Sequence, residues 1–316
     1  MVELTRDVLE PLHCWKTVDH VPGQPDVTDF KRRARLHQAE WREGRGFPIG
    51  THPYDGHGDA VSKVGSRLEL DFARSSRANL ISEAARTATA QRLATKQPHE
   101  MINEARLWCD LLSSMPLCFN LFGPLAVDKG LAAQAVRAWF PDAPGEVDDV
   151  ILEWSPGRVD AGYLGNRTAF DAAVLLKLDD GTSGVIGIET KYHEHLGTEA
   201  KPPEDRLARY LEVSQRSGQF HAGAENVLVG SALQQIWQDH LLALSMLQHR
   251  TEPWSYARFV VVYPEQNPSF ASGVSDYADL LVDGSTFGAA TLESLLDAPG
   301  ALPQDLVAQL RERYLW

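Results

Sequence analysis

The stretch from Thr168 to His195 constrains this chain more than any other: TAFDAAVLLKL, then DDGT, then SGVIGIETKYHEH. Two apolar runs flank Asp180-Gly181, and an Asp-Gly pair between such runs is the strongest short-range cue for a β-hairpin. Charges stand where a buried hairpin tolerates them least, with Asp171 on the first strand and Glu189 and Lys191 on the second. Residues two apart on a strand point to one face, so Glu189 and Lys191 share a side. Gly187 precedes them on that side, and Ala169 and Ala173 flank Asp171. Small neighbours predict open space in front of two carboxylates and an ammonium. A Glu–Lys pair beside an Asp is also what a plain cross-strand ion pair looks like. Against that, VIGIE is apolar on both faces, which predicts a buried location, where charges need a partner or a metal.

That donor set meets the needs of phosphodiester hydrolysis. The reaction requires a nucleophilic water, neutralised charge on the phosphate and a stabilised leaving oxygen. Mg²⁺, or Mn²⁺ in its place, takes hard oxygen ligands, typically one or two carboxylates with water and phosphate oxygens. Asp171 and Glu189 on paired strands would share such an ion, and the backbone carbonyl of Thr190 would add a ligand. Lys191 would orient the attacking water or stabilise charge on the phosphorane-like transition state.

Length and composition permit this and exclude other classes. A chain of 316 residues, 43% hydrophobic and 23% charged, has ample capacity for a core. It has no apolar run long enough for a membrane span, and its first residues lack the apolar core of a signal peptide. Three cysteines, Cys14, Cys109 and Cys118, form no paired spacing and read as reduced thiols of a cytoplasmic protein. The net charge of −13 runs against a strong grip on nucleic acid. A local basic face, or metal ions offsetting the carboxylates, would still serve.

Along the chain, residues 1–28 read as irregular, and Asp29 as the cap of a basic helix holding Lys31, Arg32, Arg33, Arg35, Arg42 and Arg45. That helix is either a solvated face or a phosphate-contacting one. The loop GTHPYDGHGDA offers His52, Asp55, His57 and Asp59 as a rival metal site, of the kind an unrelated metalloenzyme would use. Residues 74–96 read as a weakly amphipathic helix. A helix opening at Pro98 would align Glu104 with Trp108, Leu111 and Met115, a carboxylate on an apolar stripe that is either salt-bridged or reaches the metal. PLCFNLFGPL reads as a buried connection, and GLAAQAVRAWF as a short helix. VILEWS is a strand ending near Glu153, and PEDRLARYLEVSQRSG a helix with Arg206, Arg209 and Arg216 as cations that would face substrate. SALQQIWQDHLLALSMLQH is a buried helix whose Gln234 and Gln235 require partners, and YARFVVVYP a central strand. Residues 274–316 add two or three helices and a short extended piece. The order predicts an α/β fold, a mixed central sheet flanked by helices.

Asp171 followed by Glu189-Thr190-Lys191 resembles the signature of the PD-(D/E)XK nuclease superfamily, and the surrounding segments resemble a bacterial restriction-endonuclease subgroup of it. These segments are Asn103-Glu104 with CFNLFG, EWSPGR, RTAFDAA, GIETKYHE, QQIWQDHLLAL and the strand ending VVYP, over roughly residues 100–265. The resemblance implies a restriction-endonuclease-like core over 98–316, with 1–97 as a mostly helical N-terminal extension packed on it. It implies Asp171 and Glu189 as metal ligands and Lys191 as the catalytic lysine. Glu104 matches a helix glutamate that some members use, and Gln235 a glutamine on the following helix. Phe170 stands where the name-giving proline would be. Glu153 and His193 are weaker candidates for the site; His193 and His195 would touch phosphate or metal or, as the favoured reading, form a solvent-facing strand end. DNA is the implied substrate, with RNA left open by the residues, and the setting is restriction or antiphage defence, as a homodimer or with a defence partner. The rival reading is a non-catalytic nucleic-acid or partner-binding module that keeps the fold.

Overall fold

The computed structural model describes residues 4–15, 28–58, 61–97 and 99–316. Two helices come first, α1 (Arg6–Leu9) and α2 (Asp29–Gly44), then an antiparallel pair, β1 (Ile49–His52) and β2 (Ser62–Leu68). Helices α3 (Leu70–Ser76), α4 (Glu83–Ala94), α5 (Glu104–Cys109), α6 (Ser114–Val127) and α7 (Lys129–Trp139) lead into the main sheet. Its first three strands are β3 (Glu146–Trp154), β4 (Phe170–Lys177) and β5 (Ser183–Thr190). Helices α8 (Glu204–Ser217), α9 (Ala224–Leu228) and α10 (Gln234–Leu247) cross over to β6 (Trp254–Tyr263). The chain continues through α11 (Pro268–Ala278), β7 (Phe287–Thr291), α12 (Leu292–Asp297) and α13 (Gln304–Tyr314).

The five main strands lie in the order β3-β4-β5-β6-β7. The first three pair antiparallel, and β6 and β7 continue β5 in parallel. This is the mixed α/β sheet the sequence predicts. One apolar layer, with Leu117, Phe119, Leu121 and Phe122 of α6, packs on one face; Trp237, Leu241 and Leu244 of α10 pack on the other. The first layer also takes Ala34, Trp41 and Ala85 from the N-terminal third, so side chains from both sides of residue 97 share it.

The hairpin forms around Gly181, whose φ of 83° suits a residue without a Cβ. Gly187 does something other than leave space before the carboxylates: the buried Phe170 ring fills the place its side chain would take, 2.4 Å from an added Cβ. PLCFNLFGPL, expected as a connection, lies within helix α6. Pro116 falls in the first turn, where an amide has no intrahelical partner anyway. Gly123 lets α4 approach, since a Cβ there would meet the Ala85 Cα at 3.2 Å. The expected helix from Pro98 through Glu104 to Met115 is two helices, broken at Asp110 and restarted by the Ser113 cap; Pro98 lies outside the described residues. Thr28, not Asp29, caps α2, accepting from the Lys31 amide. The expected helix over 74–96 is likewise split into α3 and α4. The β1–β2 pair is an addition to the helical N-terminal region.

The C-terminal helix closes the core. Arg313 and Tyr314 are fully buried. Arg313 donates to Asn79 Oδ1 at 2.9 Å, and Asn120 donates to the Tyr314 hydroxyl at 2.7 Å. The Tyr314 ring packs edge-on against Tyr192, centroids 5.3 Å apart, and Gln38 of α2 donates to both the Tyr192 hydroxyl and the Arg313 carbonyl.

Candidate active site

The β4–β5 ladder stops at the pair Ala172–Ile188, one residue short of Asp171 and Glu189. Past that pair the strands present side chains to a cleft of about 570 Å³, lined by Asp171, Glu189, Lys191, Glu153 and Gln235 among others. Thr190 fixes Asp171: its amide and its hydroxyl both donate to Asp171 Oδ2, at 2.8 and 2.7 Å. Lys191 Nζ lies 2.7 Å from Glu189 Oε1 and donates to Gln235 Oε1 at 3.0 Å. Gln235 Nε2 completes the ring by donating to the same Glu189 oxygen at 3.1 Å. The partner that Gln235 requires is thus the site itself, while Gln234 turns to Glu199, the Ala200 carbonyl and the Gly230 amide.

Burial sets the protonation of this group. The Glu189 carboxyl is pushed up to about 7 by desolvation and then by the Asp171 charge. Asp171 is raised by desolvation, against the pull of Lys191 and the Thr190 donors. Burial works against the Lys191 charge, but Glu189, Glu194 and Asp171 outweigh it and hold the ammonium above its ordinary range. Glu153, near the end of β3, is pushed up to about 8 by desolvation and by Asp171 and Glu189. Its backbone is left-handed, φ 52°, and two arginines grip it. Arg92 donates to the carbonyls of Leu152 and Glu153 at 2.6 and 3.1 Å, and Arg158 to the Glu153 carbonyl at 2.8 Å. Both guanidiniums pair with the buried Glu100, at 2.6 and 3.3 Å.

Further along the cleft lies a cationic wall that the sequence reading misses. Arg106 of α5 pairs with Glu194 at 3.1 Å and donates through Nε to the Ser113 hydroxyl at 2.6 Å. Arg67 pairs with Asp110 at 2.6 Å and stacks 4.0 Å over the Tyr54 ring, so β2 and the loop after β1 also line the cleft. One turn beyond Gln235, the buried Asp239 has an oxygen without a hydrogen-bond partner, and its carboxyl is raised by burial and then by Glu189. Arg106 and Glu194 are 88 residues apart, and no spacing rule connects them. The offset of four from Gln235 to Asp239 was legible as one helix face.

The other expected residues fall as follows. Glu104 is the exposed first residue of α5 and does not line the cleft, because the helix break ends its alignment with Leu111 and Met115. Neither histidine is the solvent-facing strand end expected, because β5 ends at Thr190: His193 is buried and lines the cleft, and His195 is half-buried and does not. Arg209 and Arg216 pair with Glu212 on their own helix, and with Arg206 they stand outside the cleft. Lys31, Arg35 and Arg42 of the basic helix are buried, with Arg35 donating to the Cys14 carbonyl and Arg42 to those of Gly65 and Phe47. They tie α2 to its neighbours. In the rival metal loop His52 reaches the cleft edge, Asp55 and His57 are exposed, and Asp59 lies outside the described residues.

Among the described residues, no three His, Cys, Asp or Glu side chains converge on one point as they stand. In the cleft the reason is visible, since Glu189 is turned to Lys191 and Gln235. The donor set nevertheless fits a hard divalent cation: buried carboxyls raised by desolvation, with Asp171 adding to the rise at Glu153 and Glu189, are a set a cation would relieve. All three cysteines are buried and none is in a disulfide; Cys118 lies against the site, its thiol donating to the Asp171 carbonyl at 3.3 Å. A family model described as the PD-(D/E)XK nuclease superfamily matches residues 25–316. No curated protein and no solved structure matches the chain.

Proposed function

The chain belongs to the PD-(D/E)XK nuclease superfamily, and on that premise we propose that it is a divalent-metal-dependent endonuclease hydrolysing phosphodiester bonds of DNA. The observation that carries this is the meeting of Asp171, Glu189 and Lys191 at the open end of two paired strands, in one cleft. Asp171 and Glu189, with the Thr190 carbonyl, would hold the ion, and Glu153 would support them. Mg²⁺ or Mn²⁺ bound there would act as a Lewis acid and lower the pKa of a bound water. Thr190 keeps Asp171 pointed at the cleft through two hydrogen bonds, and Gln235 keeps Glu189 and Lys191 in register with each other. Lys191 holds its proton firmly, so its role is to donate to a phosphate oxygen and balance developing charge rather than to act as a base.

A part in restriction or antiphage defence belongs to the same reading, and a homodimer is the simple way for one site per chain to cut both strands. No helix among the described residues is long and apolar enough to cross a membrane. The buried cysteines, none in a disulfide, support a reducing, cytoplasmic setting. The test is cleavage of plasmid and linear DNA. Nicking or cutting should require Mg²⁺ or Mn²⁺, stop with EDTA, and drop at least about a hundredfold in Asp171→Ala and Lys191→Ala. Wild-type rates in both variants would sink the assignment, and tight metal-independent binding without cleavage would favour a non-catalytic binding module.

A further inference from the structure

Beside the proposed metal ligands the cleft holds a second constellation, one with no task in the metal-dependent step. The Glu194 carboxylate is its centre. Oε1 accepts from Arg106 Nη2 at 3.1 Å and from the Ser114 amide at 3.2 Å, and Oε2 accepts from the Tyr192 amide at 2.7 Å. Ser114 is the first residue of the 14-residue helix α6, whose cap Ser113 also receives the Arg106 Nε and so aims the guanidinium. Lys191 completes the surroundings: against burial, Arg106 and then Lys191 keep Glu194 ionised. One carboxylate thus collects a guanidinium, the field of an ammonium and two backbone amides, one of them opening a helix. Those are the donors proteins assemble around a phosphate group.

Three further facts bear on what this seat is for. It shares one cleft with Asp171, Glu189 and Lys191. The pair is not sealed, since the Arg106 and Glu194 side chains keep 39% and 18% of their exposure. The Glu194 backbone is anchored separately, its carbonyl and that of Tyr192 each accepting from Asn267 Nδ2 at 3.0 Å. The carboxylate can therefore swing away by side-chain rotation alone. An incoming phosphodiester carries the same single charge and would leave every donor satisfied.

We propose that Glu194 is a resident stand-in for a backbone phosphate of the substrate strand, and that Arg106 with the Ser114 amide binds that phosphate once Glu194 is displaced. The inference rests on the nuclease reading for the identity of the substrate. Its logic is competition: the carboxylate occupies the seat until a strand with a phosphate in register enters, so Glu194 opposes binding and Arg106 promotes it.

The experiment measures the affinity of a fluorescein-labelled DNA duplex by anisotropy, with Ca²⁺ replacing Mg²⁺, and cleavage with Mg²⁺ in parallel. Glu194→Gln, and Glu194→Ala as a second variant, should tighten binding about three- to tenfold while thermal melts show folded protein. Arg106→Gln should weaken it about tenfold and reduce the slope of log affinity against log salt by about one, with Arg106→Lys recovering part of the loss. In cleavage these changes should appear in KM rather than kcat. Unchanged or weaker binding in both Glu194 variants, or unchanged binding in Arg106→Gln, overturns the proposal, and wild-type cleavage in that case leaves the nuclease reading standing. Tightened binding in the Glu194 variants with no cleavage by the wild type would keep the phosphate seat and remove the nuclease reading.

Discussion

Glu153 and Glu189 are both raised, first by burial and then by the charge of Asp171, and that has a measurable sign. A carboxyl raised in the folded state favours folding most below its unfolded value, near 4.5, and loses that contribution as pH climbs to the folded value. For Glu189 the loss runs to about 7 and for Glu153 to about 8. The metal-free protein should therefore lose melting temperature between about pH 5 and pH 8, and Glu153→Gln should flatten that slope. A divalent ion needs the deprotonated carboxylates, so its affinity should rise over the same window and its binding should release protons. Calorimetric titration with Mn²⁺ in two buffers of different ionisation enthalpy reads the release directly. Buffer-independent heats would count against these carboxylates as ligands.

At the scale of elements, the end of β3 is held by residues from α4 and two loops as well as by its ladder to β4, which runs to the pair Trp154–Phe170. Glu100 joins Arg92 and Arg158, and their guanidiniums in turn hold the carbonyls that keep Glu153 left-handed. Removing one member of a buried ion network leaves the others uncompensated, so Glu100→Gln should cost about 3 kcal/mol in urea unfolding. It should also weaken Mn²⁺ binding, and an unchanged Mn²⁺ affinity would show that the clamp does not position Glu153. None of this was legible in the sequence, because Arg92, Glu100 and Arg158 sit in three separate segments with no shared periodicity. The β4–β5 hairpin was legible, since its turn residues and apolar runs are local signals that agree. The meeting of Asp171, Glu189 and Lys191 in one cleft was legible for the same reason: Glu189 ends one strand with Lys191 just past it, and the partner strand carries Asp171. Helix α6 was misread because Gly123 and Pro116 look like breakers until α4 and the first turn supply their reasons. Glu104 was misplaced because a stripe at offsets of seven and eleven presumes an unbroken helix, and Asp110 and Ser113 break it.

For the molecule as a whole, charge sets an order of events. The chain carries a net −13, and the cleft lines up Asp110, Glu153, Asp171, Glu189 and Glu194 against Arg67, Arg106 and Lys191. Those three cations already have carboxylate partners. A polyanion would meet net repulsion there until a divalent ion offsets the acids. DNA should accordingly bind at least about tenfold tighter in millimolar Ca²⁺ than in EDTA at equal ionic strength, by filter binding or anisotropy. Equal affinities would mean that the duplex is held elsewhere. The burial of Arg313 and Tyr314 adds a constraint in time. Tyr192, the neighbour of Lys191, rests on a helix that the ribosome makes more than a hundred residues after β4 and β5. A nascent chain that has only the hairpin carries Asp171, Glu189 and Lys191 without the wall behind Tyr192, so on the proposed nuclease reading cleavage would wait until synthesis has passed α13.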